Sequence, residues 1–208
     1  MTLGPGILPA AVEPTRAQRL RGVQPWRRLF HAGNALVVAF LPPLFGVGRW
    51  ATVGLLGALF VGLVSFDLAR LRSPELNALF FRLFPSLASD RERTNIASSS
   101  WYALGLILVL ALFPRAIAVP AILVLGLADP AASTIGRLWG RRRIGKGTWL
   151  GTTVFVVVAA AVMSTAVGPA RALAAALVVA AIEILPWRLD DNLTVPLAAA
   201  AALWLVGR

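Results

Sequence analysis

The residues with the most chemistry to offer lie between positions 126 and 152, GLADPAASTIGRLWGRRRIGKGTWLGT. Asp129 stands inside an apolar run and is followed by Pro130. That pair predicts a helix break, because proline disfavours helical backbone at the residue before it and removes a backbone donor. Backbone released at that depth is tolerated where it lines a cavity, and a carboxylate there is placed to hold a hard metal ion. Ala132, Gly136 and Gly140 recur every four residues, so one helix face is nearly bare, as close helix packing requires. Next come Arg141, Arg142, Arg143 and Lys146, interleaved with Gly145 and Gly147 and leading to Thr148 and Thr152. Guanidinium forks and exposed backbone N–H groups suit a polyphosphate. Residues 140–146 also spell the start of a P-loop, G-x-x-x-x-G-K, but Gly147 stands where a magnesium-binding Ser or Thr belongs and no strand is expected before it, so that match is rejected.

A second group joins Glu183 to Asp190, Asp191 and Asn192 just ahead of an apolar stretch. One of these would suffice as a helix cap. Several oxygen-bearing side chains together make a hard-cation site of the kind that Mg²⁺-nucleotide enzymes use. A third group is scattered: Arg27, Arg28 and His31 ahead of the first apolar run, Asp67 at the end of the second, and Glu92 with Arg91, Arg93 and Asn95 before the third. His31 is the single histidine, and a lone interfacial histidine serves structure as readily as catalysis.

These residues are carried by a chain that is 58% hydrophobic and 14% charged, with a mean hydropathy of +0.78. That is more apolar side chain than one soluble core needs, and the surplus must face lipid. Stretches 32–47, 50–68, 100–113, 116–135, 149–167, 170–187 and 193–206 read as about seven transmembrane helices of an all-α, polytopic membrane protein. The first contains Pro42-Pro43 and is expected to kink or tilt. Connections are short, so residues 26–208 form a single membrane domain behind a basic N-terminal segment, 1–25. The pattern from position 14 to 30 fits either a surface helix on anionic headgroups or a plain positive flank, and a secretory signal peptide is not expected.

The net charge of +11 would be compatible with nucleic acid, but its placement points to a membrane instead. Arg16, Arg19, Arg21, Arg27 and Arg28 precede the first span; Arg70, Arg72, Arg82, Arg91 and Arg93 fall between the second and third; Arg137 to Lys146 between the fourth and fifth; Arg188 after the sixth. Only Arg49, Arg115, Arg171 and Arg208 remain for the other side. The positive-inside rule then puts the N-terminus in the cytoplasm, and the carboxylates of the spans and loops fall on the same face. Ionisable groups beside hydrocarbon are functional candidates, with pairing to nearby arginines as the bland alternative. With no cysteine, disulfides, thiolate metal sites and cysteine nucleophiles are excluded.

Taken in order, these pieces resemble the CTP-dependent lipid-alcohol kinases, the family of dolichol, polyprenol, phytol and CTP-type diacylglycerol kinases. The matching parts are the basic-His segment at Arg27, Arg28 and His31, the Arg-Glu segment leading to SWYALG at 100–105, Asp129-Pro130 through Gly140, the block 148–152, and Glu183 with DDNLTVP at 190–196. The resemblance implies an integral membrane enzyme that transfers the γ-phosphoryl group of CTP to a lipid alcohol at the cytoplasmic face, with Mg²⁺ or another divalent cation. Carried over by position, Asp129, Asp190, Asp191 and His31 would be catalytic. Gly136, Arg137, Gly140, Arg141, Arg142, Arg143, Lys146, Thr148 and Thr152 would bind nucleotide, and Asp129, Asp190, Asp191, Asn192 and Glu183 metal, with Asp67 and Glu92 as further candidates. Two departures stand out: Gly147 separates Lys146 from Thr148, and Leu150 replaces a glutamate usual in the family. The alternatives are a CDP-diacylglycerol synthase-like cytidylyltransferase and a non-catalytic transporter. The Arg- and Ala-rich, Lys-poor composition fits a bacterial plasma membrane.

Overall fold

A computed structural model of the chain describes residues 24–186 and 189–208. The basic segment 1–23, with Arg16, Arg19 and Arg21, and the pair Trp187 and Arg188 lie outside the described residues.

Among the described residues the fold is a bundle of helical rods: α1 (Pro25–Leu44), α2 (Arg49–Arg72), a short α3 (Pro74–Leu83), α4 (Ser98–Leu112), α5 (Arg115–Leu123) continuing through a π-turn (Val124–Ala128) into α6 (Asp129–Trp139), then α7 (Trp149–Met163), α8 (Pro169–Ile184) and α9 (Asp191–Val206). Helix α6 packs on α7, α7 on α8, α8 on α9, and α9 on both α4 and α5, while α2 leans on α4 from the outside. Leu106 and Val109 of α4, Ile122 and Leu125, Phe155 and Met163 of α7, Val179 of α8 and Leu203 of α9 fill the space between them.

The outward faces are as apolar as the core. Helix α2 exposes Leu55, Leu59, Val61, Phe66 and Leu68, α1 exposes Leu36, Val37, Phe40 and Leu41, and α8 exposes Leu173, Leu177 and Val178. Two continuous helices, Arg49–Arg72 and Arg115–Trp139, are long and apolar enough to cross a bilayer. The first of them is largely unburied, unlike the core helix of a soluble protein, and its outward face suits contact with lipid. Exposed Trp26, Trp139 and Trp149 sit at one end of the bundle and Trp50 and Trp204 at the other, the positions that interfacial aromatic belts occupy. Among the described residues the fold is mostly helical, with two candidate membrane spans and outward faces that fit a membrane protein.

Three expectations change. No break occurs at Asp129-Pro130: the rod runs unbroken from Arg115 to Trp139. A π-turn precedes the proline, with the Asp129 N–H bonded to the Val124 carbonyl. The wider turn accommodates the proline's missing donor without ending the helix. Pro42-Pro43 fall in the last turn of α1, where they stop the helix instead of kinking a span. The fold is also not purely helical. Residues Arg143–Ile144 and Gly147–Thr148 pair antiparallel as β1 and β2, a two-stranded hairpin around Gly145 at φ 53°. A left-handed residue at the tip of so tight a turn calls for glycine. Helix α3 was likewise not anticipated; Ser73 caps it by accepting from the Leu76 N–H.

Small residues set how closely the rods approach. A methyl on Gly126 would stand 2.2 Å from Ala35 Cβ, one on Gly136 2.8 Å from Thr148 Oγ1, and one on Gly105 2.3 Å from the Asn192 carbonyl oxygen. The bare face of Ala132, Gly136 and Gly140 therefore serves close packing of α6 on α7, as its four-residue spacing implied. Because the obstacle at Gly105 is backbone, Gly105→Ala is expected to push α9 from α4 and to cost about 1–3 kcal/mol. The check is a lowered thermal midpoint of the detergent-solubilised protein.

Candidate functional site

One end of the bundle gathers the start of α1, helix α6 from Asp129 onward, the β-hairpin, the start of α7, the end of α8 and the start of α9. Between them lies a cavity of about 1050 Å³. It is lined by His31, Asp129, Gly136, Arg137, Gly140, Arg141 and Arg143, and by Lys146, Thr148, Thr152, Glu183, Asp190, Asp191 and Asn192. Fourteen of the residues singled out from sequence thus share one space. Arg142, Asp67 and Glu92 are not part of its lining.

Each wall has a local cause. Thr148 caps α7, accepting from the Gly151 N–H at 3.1 Å, and glycines at 136, 140 and 151 let α6 and the hairpin close on that cap. The hairpin tip is pinned to the end of α8. The Lys146 N–H donates to the Ile184 carbonyl at 3.1 Å, and Gly145 sits so close that a methyl there would lie 2.1 Å from the same oxygen. This docking sets Lys146 opposite α9, where its ammonium pairs with Asp191. Asp190 caps α9 by accepting from the Asn192 N–H at 3.1 Å and also takes the Asn192 side-chain amide at 2.8 Å. The plain capping role is therefore real for Asp190, which still faces the cavity. Burial, reinforced by Asp191, raises the Asp190 carboxyl above its ordinary range despite the backbone donor.

Arg27 and Arg28, grouped with His31 from sequence and matched to the family's basic-His segment, were assigned no role of their own there. Both line the cavity. The Arg27 guanidinium donates to Ser98 Oγ at 2.6 Å and lies 3.6 Å from the Glu92 carboxylate. Arg28 reaches across to the Pro130 carbonyl at 3.3 Å. Burial lowers its pKa to about 10, with the charge of Asp129 opposing that shift, so it remains a cation at neutral pH. His31 rests against Tyr102, ring centroids 4.8 Å apart, and the Tyr102 hydroxyl donates to the His31 carbonyl at 2.8 Å. The spacing of Arg27, Arg28 and His31 on one helix was the available signal.

Asp67 and Glu92 build the support behind the cavity. Arg70 is fully buried; its Nε donates to Asp67 at 2.7 Å, and its two Nη atoms reach Asn77, the Glu92 carbonyl and the Asn95 carbonyl. The other Asp67 oxygen accepts from the Ala97 N–H at 3.0 Å and Ser100 Oγ at 2.7 Å. Glu92 accepts from the Ser89 and Ser98 N–H groups, both at 3.0 Å, closing a capping box around the 3-10 turn Asp90–Arg93. Every polar atom of this network has an obvious purpose in holding the 89–100 segment, and hence Arg27, in place.

The donor set suits a Mg²⁺-nucleotide. Among the described residues no three His, Cys, Asp or Glu side chains converge as a metal cage. Mg²⁺ at phosphoryl-transfer sites asks for less, being held by one or two carboxylates together with substrate phosphates and water. Thr152 Oγ1 is buried without a partner, so a hydroxyl donor stands ready in the cavity wall. Leu150, where the family resemblance led us to expect a glutamate, is exposed and does not line the cavity.

Comparison with known proteins agrees with this geometry. Over 168 residues, 71% of this chain and 77% of the relative, the sequence is 28% identical to the CTP-dependent diacylglycerol kinase 1 of Schizosaccharomyces pombe. The proteins of the same name from Saccharomyces cerevisiae and Eremothecium gossypii are 30% identical over 114 residues and 35% identical over 81 residues. The chain is related to the CTP-dependent lipid kinases. The matched stretches cover 39% of the S. cerevisiae protein and 26% of the E. gossypii one. No family model matches the chain, and no solved structure does.

Removing the charge of Asp67 leaves the Arg70 guanidinium buried and uncompensated. Asp67→Asn is expected to cost about 3–5 kcal/mol, read as a lowered unfolding midpoint. Asp90→Asn, at the open Arg93–Asp90 pair, is expected to leave that midpoint unchanged.

Proposed function

We propose that this protein is an integral membrane kinase that transfers the γ-phosphoryl group of CTP to the hydroxyl of a lipid alcohol. The observation that carries the reading is a single cavity in which seven cationic side chains (Arg27, Arg28, Arg91, Arg137, Arg141, Arg143 and Lys146) face four carboxylates, Asp129, Glu183, Asp190 and Asp191. Phosphoryl transfer asks for charge neutralisation and alignment, and little covalent chemistry from the protein. The relatives named as diacylglycerol kinases make diacylglycerol the first acceptor to test, with phytol and polyprenols after it.

In this reading residues 26–208 form one domain that crosses the bilayer about seven times, with the cavity on the cytoplasmic side and the host membrane a bacterial plasma membrane. Contacts at the far end of the bundle support the alternation of direction. Arg49, at the start of α2, donates to the Ala111 carbonyl at the end of α4, and Phe113 stacks edge-on against Trp204 near the end of α9. The shorter rods α4, α7 and α9 would cross as members of a packed bundle.

The arginines, Lys146 and the hydroxyls of Thr148 and Thr152 take the phosphate chain, and release of Asp191 from Lys146 frees a carboxylate for a metal. Asp190, Asp191, Asn192 and Glu183 would hold Mg²⁺, which when bound neutralises the β and γ oxygens. Asp129, carried within the long rod and so deepest along the membrane axis, accepts the proton of the lipid hydroxyl as its oxygen attacks the γ-phosphorus. The bond from that phosphorus to the β-phosphate oxygen breaks, leaving CDP and a lipid phosphate. Leu150 faces away from this cavity, so the family's missing glutamate does not remove an acid from it.

The test is transfer of label from γ-labelled CTP or ATP, with Mg²⁺, to diacylglycerol, phytol or a short polyprenol by purified protein in mixed micelles. Labelled lipid from CTP is the expected outcome. Labelled pyrophosphate released when phosphatidic acid is offered, with no labelled lipid from any of the alcohols, would reveal a cytidylyltransferase instead. Asp129→Asn is expected to lower transfer by about a hundredfold or more with folded protein retained, and near-wild-type turnover would contradict the assignment.

A further inference from the structure

A second, smaller cavity of about 190 Å³ opens beside the first, and Arg91, Ser98 and Asp190 belong to the walls of both. Its remaining wall is Glu92, Asn95, Ile96 and Trp101. This volume lies below the roughly 300–1,000 Å³ of ordinary small-molecule pockets. It matches one flat heterocycle whose substituents continue into the larger space. We infer that it is the nucleobase subsite and that it takes the cytosine ring of the donor nucleotide, an assignment that rests on the kinase reading above.

The wall chemistry carries the inference. Half-buried Trp101 offers an indole face and Ile96 an apolar edge, which together make a stacking slot for an aromatic ring. Asn95 spends its side-chain NH₂ inside the loop, donating to the Arg91 carbonyl at 2.9 Å and to Thr94 Oγ1 at 3.2 Å. What it presents to a ligand is therefore its Oδ1, an acceptor. Arg91 adds a guanidinium, which can only donate. An acceptor beside a donor is the complement of cytosine, whose exocyclic amine donates and whose N3 and O2 accept. Uracil presents a carbonyl where cytosine has the amine, and that oxygen would face Asn95 Oδ1. Adenine has an amine beside an acceptor nitrogen, but its second ring asks for more space than one heterocycle. Glu92 does not compete for the ligand, because its two oxygens are already taken by the Ser89 and Ser98 N–H groups and hold the wall rigid. From this slot the ribose and phosphates run past Asp190 and Arg91 into the cation-lined cavity.

The experiment is equilibrium dialysis of labelled CTP, UTP, ATP and inorganic triphosphate against the detergent-solubilised full chain, without lipid alcohol so that no turnover occurs. Wild type is expected to bind CTP more tightly than UTP or ATP. Asn95→Ala, at an exposed position that tolerates the change, is expected to weaken CTP by roughly tenfold and to bring CTP and UTP close to parity, with inorganic triphosphate unaffected. Trp101→Leu should weaken every nucleotide and spare triphosphate, while Trp101→Phe keeps the stacking face and most of the affinity. Equal losses for CTP and triphosphate in Asn95→Ala, or a CTP preference over UTP that neither variant moves, would overturn the subsite and leave the kinase reading standing. Failure of wild type to bind CTP or triphosphate at all would overturn both.

Discussion

Arg70 carries a full charge with none of its side chain reaching solvent, at the end of a helix whose flanks face hydrocarbon. Desolvating a guanidinium costs several kcal/mol even after relaxation, and the cost is met only where every donor finds a well-placed acceptor. Here the acceptors are Asp67, Asn77 and the carbonyls of Glu92 and Asn95, so satisfying one charge also fixes the course of the segment between α3 and α4. From there the constraint passes outward. Asp67 holds the first turn of α4, Glu92 closes the 3-10 turn, and Ser98 and Glu92 together orient Arg27 toward the cavity. The segment that backs the cavity is held in one course because the buried charge behind it must find these acceptors.

Opposite that network, backbone proximity does the same work. With no Cβ at positions 136, 140 and 151, α6 and α7 approach closely, and with Gly145 pressed on the Ile184 carbonyl the hairpin docks on α8. In a membrane, where water gives helices no reason to associate, such contacts supply the packing. Their consequence is chemical: Lys146 is held opposite Asp191, and the hairpin arginines face the carboxylates of the other helices across one space. In the kinase proposed above, this pair of opposite charges is a resting arrangement that a polyanion and a metal would exchange for stronger partners.

Asp190 shows how a structural role and a chemical one coexist. Its carboxylate caps α9 through the Asn192 N–H and still borders both cavities. A capping residue has a restricted rotamer, which gives a ligand contact the precision that a free surface acid would lack.

Much of this was legible before any fold was known. Composition pointed to apolar outward faces and the small residues at every fourth position announced close packing, because each depends on local chemistry and period alone. The residues around Asp129, Lys146, Asp190 and Asn192 were recognisable for the same reason: carboxylates and cations beside apolar runs are too costly to be incidental. Other features depended on tertiary context. Whether Asp129-Pro130 breaks a helix or rides on a π-turn is decided by neighbours that hold the rod straight. Arg27 and Arg28 stood with His31 as a scattered group, and only the fold shows both of them lining the same cavity as Asp129 and Asp190. Asp67 and Glu92 were further site candidates, and the fold pairs Asp67 with buried Arg70 and the Glu92 carboxylate with the Ser89 and Ser98 N–H groups behind the cavity. Residue type sets what a side chain can do, whereas the partner it meets, often dozens of positions away in the chain, sets what it does.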